Sequence, residues 1–223
     1  MTLSPLRRFI LQAVLWLPLS FCLWAVFASP VIWPPAKIGN AVLTRQLPDT
    51  VTKVEQNKAQ LEIETTLRTE PDPQGRVGVI VLQATPMIYA WCLPLFAGLV
   101  MATPLSGRRR VLQIAIAFPI LWIVVSWGAV FDVLYLLQFK AGPLGAAALA
   151  RNGWSEDAIA LGYQFGYLIL PAVTPVALWI LQNQRFLETL VGWRREPDGA
   201  GDGPSADPAA PAVPAQDSGD RPA

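Results

Sequence analysis

The apolar residues of the chain fall into four long runs separated by short polar segments. The runs occupy residues 9–33, 87–105, 111–139 and 158–181. A run of about 20 apolar residues with few charges is typical of a transmembrane helix. The pattern therefore predicts an α-helical integral membrane protein with four transmembrane helices.

The first run also begins after Arg7 and Arg8, as a secretory signal peptide would. Its apolar length exceeds the usual 7–15 residues of a signal peptide core. Bulky Trp16 and Trp24 also suit a helix that stays in the membrane. We therefore expect this helix to be retained.

The polar segment between the first two runs shows two further periodicities. Residues 36–47 predict a short amphipathic helix with Ile38, Val42 and Leu43 on one side. Residues 59–68, "AQLEIETTLR", alternate apolar and polar side chains as a half-buried strand does.

Two neighbouring stretches complete a predicted strand meander. "RVGVIVLQA" follows the turn-forming "PDPQG" at 71–75, and "TVTKVEQ" at 50–56 precedes the turn-like Asn57-Lys58. The fold class is thus four transmembrane helices with a small α/β insert outside the cytoplasm. Because so small a sheet is not stable alone, we expect one face to be covered by the helix at 36–47, by the membrane surface or by another protein. These side chains should point inward: Leu61, Ile63, Val79 and Val81.

These boundaries divide the chain into four parts. They are the N-terminus with helix one (1–33), the insert (34–86), helices two to four (87–195) and a tail (196–223). The tail is rich in Pro, Ala, Gly and Asp, a composition that cannot bury a core, so it is predicted to be disordered.

The distribution of arginine predicts the orientation. Arg7 and Arg8 precede the first run, Arg108 to Arg110 separate the second from the third, and Arg185 follows the fourth. The loop 140–157 carries only Lys140 and Arg151. Since basic residues accumulate on the cytoplasmic side, we expect a multi-pass protein of the bacterial inner membrane with both termini in the cytoplasm.

That loop also contains local helix signals. Residues 143–153 predict a short helix that ends at Asn152-Gly153, and Ser155 is placed to cap the fourth span.

Composition excludes several classes of function. The chain is 53% hydrophobic with a net charge of +1, so no nucleic-acid partner is expected. It has no histidine, which removes the commonest general base and metal ligand. Cys22 and Cys92 lie far apart in apolar runs, unlike a metal site. We predict no catalytic, cofactor-binding or metal-binding residues, and the bilayer itself as one partner.

Asp132 stands alone among the apolar residues of the third run, "WGAVFDVLYLLQF". A carboxylate at a helix centre costs about 2.5–3.5 kcal/mol on insertion scales. On adjacent antiparallel helices it would share its depth with Tyr163, Gln164 and Tyr167. We expect a polar clasp to these residues. A contact with a partner helix and a role in catalysis or proton transfer stay open, although aspartyl proteolysis would need a second acid at this depth.

Gly162 and Gly166 form a G-x-x-x-G pair in the fourth run. Such a pair lets another helix approach closely. We expect helix packing within this protein, with packing against another protein as the alternative.

Four phrases of the sequence carry a family resemblance. They are "LWLPLSFCLWAVFASPVIWPPA", "PMIYAWCLPLFAGL", "WGAVFDVLYLLQF" and "AIALGYQFGYLILPAVTPVALWIL". From about residue 6 to about residue 190 it resembles the exosortase H-associated membrane proteins. This resemblance implies association with exosortase H, an integral-membrane, cysteine-dependent enzyme that processes secreted proteins bearing a C-terminal sorting tail. It implies no catalytic residues for the associated protein.

The combined prediction is a non-enzymatic accessory membrane protein that helps to assemble an exosortase-type enzyme or to present its substrate. One alternative is a small transporter or channel subunit, which should contain a polar cavity at mid-membrane. The other is an intramembrane enzyme, which should place a second reactive group near Asp132. The identity of the partner, the oligomeric state and the role of Asp132 are not determined by the sequence.

Overall fold

The computed structural model describes residues 4–69, 71 and 73–191, without the side chain of Val191. The predicted tail, 196–223, lies outside these residues. The described part contains eight helices and three strands: α1 Pro5–Val26, α2 Ala28–Gln46, β1 Val51–Asn57, β2 Gln60–Arg68, β3 Val79–Ala84, α3 Cys92–Ala102, α4 Gly107–Phe139, α5 Gly142–Arg151, α6 Glu156–Gln164, α7 Leu170–Gln182 and α8 Gln184–Val191.

Three helical segments are long and apolar enough to cross a membrane. They are α1, α4 and the continuous stretch Glu156–Gln182, in which a single π-helical turn at Phe165–Ile169 joins α6 to α7. The predicted helical membrane architecture and small sheet are present. The second predicted span, however, contains only the 11 residues of α3. At about 1.5 Å per residue this helix is about 16 Å long, roughly half the thickness of a bilayer core.

The short helix α3 lies inside the bundle. It packs against α1, α4 and α7, and no side chain from Tyr89 to Thr103 is exposed. Gly98 allows the closest approach, because a Cβ atom there would lie 2.7 Å from the Leu17 side chain of α1. Non-helical backbone at membrane depth is tolerated where protein covers it, so the enclosure of α3 explains how its flanks remain irregular.

The first predicted span differs from the observed helices. The helix α1 ends at Val26, the chain bends at Phe27, and α2 then runs without interruption to Gln46. The predicted amphipathic helix is therefore the second half of α2. Its buried stripe contains Leu43 with Ile32, Ala36 and Gly39, whereas Ile38 and Val42 are partly exposed. The buried face of α2 is set by its packing against β1 and α4, which the apolar pattern of residues 36–47 alone does not report.

The predicted meander is confirmed as an antiparallel sheet with strand order β1-β2-β3. A bulge at Thr52 in β1 places both Val51 and Val54 on the buried face, opposite Thr65 and Ile63 of β2. Leu61 and Ile63 are buried, as predicted, at 1% and 0% exposure. This face packs against α2 and the C-terminal half of α4.

The predicted facing of β3 is wrong. Val79 and Val81 are 56% and 53% exposed, and Ile80, Leu82 and Ala84 point inward instead. The register decides this, because Leu82 lies opposite the buried Ile63 and Val81 lies opposite Glu64. Both faces of β3 are apolar in sequence, so alternation alone did not distinguish them.

The outward face of the sheet is otherwise polar. Lys53 and Glu55 of β1 form an ion pair there, and this hydrogen-bonded contact raises the pKa of Lys53.

The loop signals after α4 are confirmed. The predicted short helix is α5, and Ser155 caps α6 by accepting a hydrogen bond from the Ala158 amide at 3.2 Å.

Candidate functional site around Asp132

Asp132 lies on the face of α4 that is turned into the bundle, and it is only 8% exposed. Its carboxylate interacts with the backbone amide of Thr85 and with the hydroxyl of Tyr89. Both residues belong to the tight turn that leads from β3 toward α3. The turn is held by hydrogen bonds from the amides of Ile88 and Tyr89 to the carbonyls of Thr85 and Pro86, at 3.2 and 3.0 Å. A short hydrogen-bonded turn thus presents a donor directly to the acid.

Tyr89 is completely buried beside Asp132. Its ring lies over Gly128 of α4, where any Cβ atom would overlap it. The Tyr89 hydroxyl has electrostatic contacts with Asp132 and Tyr163, but it has no partner at full hydrogen-bond geometry. These contacts are therefore longer or less well aligned than a formed hydrogen bond.

All four tyrosines of the chain gather around this acid. Tyr135 and Tyr163 stack with ring centres 4.6 Å apart, and Tyr163 and Tyr167 lie parallel at 6.0 Å. The ring of Tyr89 meets that of Tyr167 edge-on at 6.2 Å. We call Asp132 and these four residues the tyrosine cluster.

The two glycines of α6 and the π-turn bring Tyr163 and Tyr167 close to α4. A Cβ atom on Gly162 would overlap the Phe131 ring, and one on Gly166 would lie 2.9 Å from Trp127. The Trp127 indole N–H donates to the Gly162 carbonyl at 3.1 Å. Gly162 and Gly166 therefore pack α4 against the last span within this chain.

The sequence-predicted site residues occupy different positions in this arrangement. Tyr163 is half-buried near Asp132, Tyr167 is 44% exposed at the edge, and Gln164 is exposed. The carboxylate forms no direct hydrogen bond with these three residues of the described chain. Its role as a polar clasp or partner contact stays a prediction.

Sequence reasoning did not include three residues that the structure places here, Thr85, Tyr89 and Tyr135. One signal was available for the tyrosines. The chain has only four, and three of them lie in the two quoted family phrases that contain Asp132, Gly162 and Gly166. Thr85 acts through its backbone, so no side-chain pattern could have identified it.

The length of α4 gives the depth of the cluster. Asp132 lies 22 residues after Arg110, which is about 33 Å along the helix. A bilayer core is about 30 Å thick. If the arginines lie at one membrane surface, Asp132 lies at the opposite boundary and not at the centre.

The family model of the exosortase H-associated membrane proteins matches residues 3–186. The chain belongs to this family. The match includes the whole tyrosine cluster and ends within α8. No curated protein and no solved structure is significantly similar to the chain. The family name indicates association with an exosortase, which is consistent with an accessory membrane protein.

In this family member, the acid of the cluster has no cationic partner within the described part of the chain. No lysine or arginine there forms an ion pair with Asp132. The described residues also contain no group of three or more His, Cys, Asp or Glu side chains that could hold a metal ion. The cluster thus combines one carboxylate with four phenol rings.

A separate cavity of about 320 Å³ lies between α2 and residues 123–134 of α4. Its lining is largely apolar and contains no charged side chain, with Ile38 and Val42 on one wall and Ile123, Trp127 and Val130 on the other. Its one polar residue on α4, Ser126, is already bonded to the Trp122 carbonyl at 2.7 Å.

Proposed function

We propose that this protein is a non-enzymatic accessory subunit of an exosortase-type sorting system in the bacterial inner membrane, where it assists assembly of the enzyme or presentation of its substrate. The family match over residues 3–186 carries the proposal. The tyrosine cluster contains a single carboxylate, whereas aspartyl proteolysis would need two, and this supports an accessory role. The apolar lining of the cavity between α2 and α4 favours this role over that of a transporter.

The topology that we propose has four crossings, with the sheet outside the cytoplasm and both termini inside. Two contacts support a crossing by residues 89–103. Tyr89 lies over Gly128 at one end, and Arg110 donates to the Thr103 carbonyl at 3.2 Å at the other. Gly128 and Arg110 are 18 residues apart on α4, about 27 Å, so the segment extends over most of a bilayer core.

Reporter fusions test this topology. A reporter that is active only outside the cytoplasm should be active after Thr69 and silent after Arg195. If α3 does not cross, the number of crossings becomes odd and the reporter after Arg195 should be active. The reverse of the expected pattern at both sites would refute the orientation itself.

Co-purification tests the function. The full chain, tagged and extracted in mild detergent from cells that also produce the exosortase of the same host, should retain that enzyme through purification. Mass spectrometry identifies the bound proteins. An unrelated four-span membrane protein with the same tag is the control, and equal recovery of the exosortase with both baits would contradict the proposal.

A further inference from the structure

The tyrosine cluster contains two buried polar groups without a cation beside them. Asp132 is 8% exposed and contacts the Thr85 amide and the Tyr89 hydroxyl, and the fully buried Tyr89 hydroxyl has no partner at full hydrogen-bond geometry. Buried charges in proteins are paired, since desolvation of an isolated ion costs several kcal/mol. Within the described chain the cluster therefore lacks the positive charge that would favour an ionised carboxylate.

The aromatic rings of the cluster also favour a cation. The face of an aromatic ring carries negative potential, and cations bind within about 6 Å of the ring centre. Tyr135, Tyr163 and Tyr167 form a continuous stack beside Asp132, with neighbouring ring centres 4.6 and 6.0 Å apart. A carboxylate beside stacked phenols is chemically suited to an ammonium or guanidinium group.

The tyrosine cluster reaches the protein surface. Thr85, whose amide contacts Asp132, is exposed, and so are Ile88, next to Tyr89 in the chain, and Tyr167, which contacts the rings of Tyr89 and Tyr163, at 41% and 44%. We call these three residues the rim. The chain's own nearby basic residues on the outer loops, Lys140 and Arg151, are exposed and form no ion pair with Asp132.

The composition of the rim distinguishes between sources of the cation. A lipid ammonium is accompanied by a phosphate, which would need a basic side chain nearby, and Thr85, Ile88 and Tyr167 supply none. A metal ion would need several hard ligands, and Asp132 is the one carboxylate here. A lysine or arginine side chain brings positive charge alone, on an apolar stem suited to the membrane boundary.

We propose that the tyrosine cluster is a docking site for a lysine or arginine side chain of the membrane partner, with Asp132 as its counter-ion and the tyrosine rings as its walls. This inference rests on the proposed function, because it assigns a chemistry to the contact with the exosortase. It predicts that the partner exposes a basic residue near the outer membrane boundary.

Removal of the charge is the first test. The full chain with Asp132→Asn is co-produced with the exosortase of the same host. It should recover at least about tenfold less exosortase than the wild type, because loss of one member of a buried charge pair is costly. Asp49→Asn removes an exposed carboxylate outside the cluster and should match the wild type. Thermal unfolding of each variant in detergent checks that the protein remains folded.

The second test introduces a cation within the protein itself. It leaves Asp132 unchanged, so its result does not depend on whether the Asp132 variant folds. Ile88→Arg places a guanidinium at the rim, where it should occupy the site and reduce exosortase recovery about tenfold. Ile88→Gln is the neutral control and should retain recovery. A photo-crosslinking residue at position 88 should label an exosortase peptide that contains a lysine or arginine.

The outcomes separate the two proposals. If the wild type recovers no exosortase, the proposed function fails. If the wild type recovers it and either Asp132→Asn or Ile88→Arg recovers as much, the docking site is refuted and the accessory role stands. A labelled peptide without a basic residue, or labelling of lipid alone, also refutes the docking site.

Discussion

The two halves of α4 are similarly apolar in sequence and differ completely in what surrounds them. The first half exposes large apolar side chains, at 39–69% of their area: Val111, Leu112, Ile116, Ile120 and Ile123. The second half buries eleven of its sixteen residues: Val124, Val125, Ser126, Gly128, Ala129, Val130, Phe131, Asp132, Val133, Leu134 and Leu137. Apolar composition therefore predicts entry into the membrane, but not whether lipid or protein covers a given side chain.

The difference follows from the neighbours of each half. The first half contributes Ala117 and Leu121 to a core shared with α3 and Trp179 of α7. Val124 and Val125, at the start of the second half, belong to this same core. From Ala129 onward the second half joins a different core that includes α2, the sheet, α5 and α6. The sheet and its neighbouring helices thus cover the C-terminal part of the longest helix, and this enclosure contributes to the buried environment of Asp132.

The largest expected effect is a difference in the free energy of unfolding between a variant of a buried leucine and a variant of an exposed isoleucine. Leu134→Ala, at a fully buried position, should lower the free energy of unfolding by about 2–5 kcal/mol, because it leaves a cavity in the outer core. Ile116→Ala, 52% exposed on the first half, should change it by less than about 0.5 kcal/mol. Denaturation of the purified protein in mixed detergents measures both. Equal losses would mean that the two halves are equally enclosed.

The second prediction concerns the close approach of α6 to the second half of α4. Gly162→Ala should cost about 1–3 kcal/mol, because the new methyl group must displace the Phe131 ring. Gly39→Ala is the control, since a Cβ atom there meets nothing within 4 Å, and it should be neutral or stabilise α2 by up to about 1 kcal/mol. Thermal unfolding measures the pair. A tolerated Gly162→Ala would show that the contact between α4 and α6 is looser than the structure indicates.

The third prediction concerns Asp132, the carboxylate in the second half of α4. Asp132→Leu should lower stability by roughly 0.6–2 kcal/mol, as expected for loss of a polar contact between membrane segments, here with the Thr85 amide. Asp132→Asn keeps an acceptor of similar shape and should preserve the fold. Chemical denaturation of the two variants beside the wild type measures the difference. Equal stability of all three would show that the acid has no structural role.

The smallest expected effect lies at the other end of α4. Gln113 donates to the Gln182 carbonyl and to the Asn183 side chain at 3.2 and 2.9 Å, which joins the first half to the end of α7. Gln113→Leu should cost about 0.6 kcal/mol, the average for such bonds between membrane helices. Thermal unfolding detects the shift, with Leu112→Ala as the exposed neighbouring control. A loss larger than that of Asp132→Leu would reverse the ranking of the two ends.

The sequence by itself determined the elements whose signals are local. The long apolar runs became α1, α4 and the α6–α7 segment, and the alternating stretches became three strands. Ser155 caps α6 because the cap needs only an amide three residues away. Gly162 and Gly166 were recognisable as packing residues because small side chains at that spacing allow close approach in almost any context.

Only the tertiary structure decided which surfaces these elements turn toward each other. The register with β2 turned Val79 and Val81 outward, although their own alternation is equally consistent with either face. The partners of Asp132 are Thr85 and Tyr89, which lie more than 40 residues before it in the chain. The physical reason is that periodicity reports the chain's own geometry, whereas burial depends on contacts between segments distant in sequence.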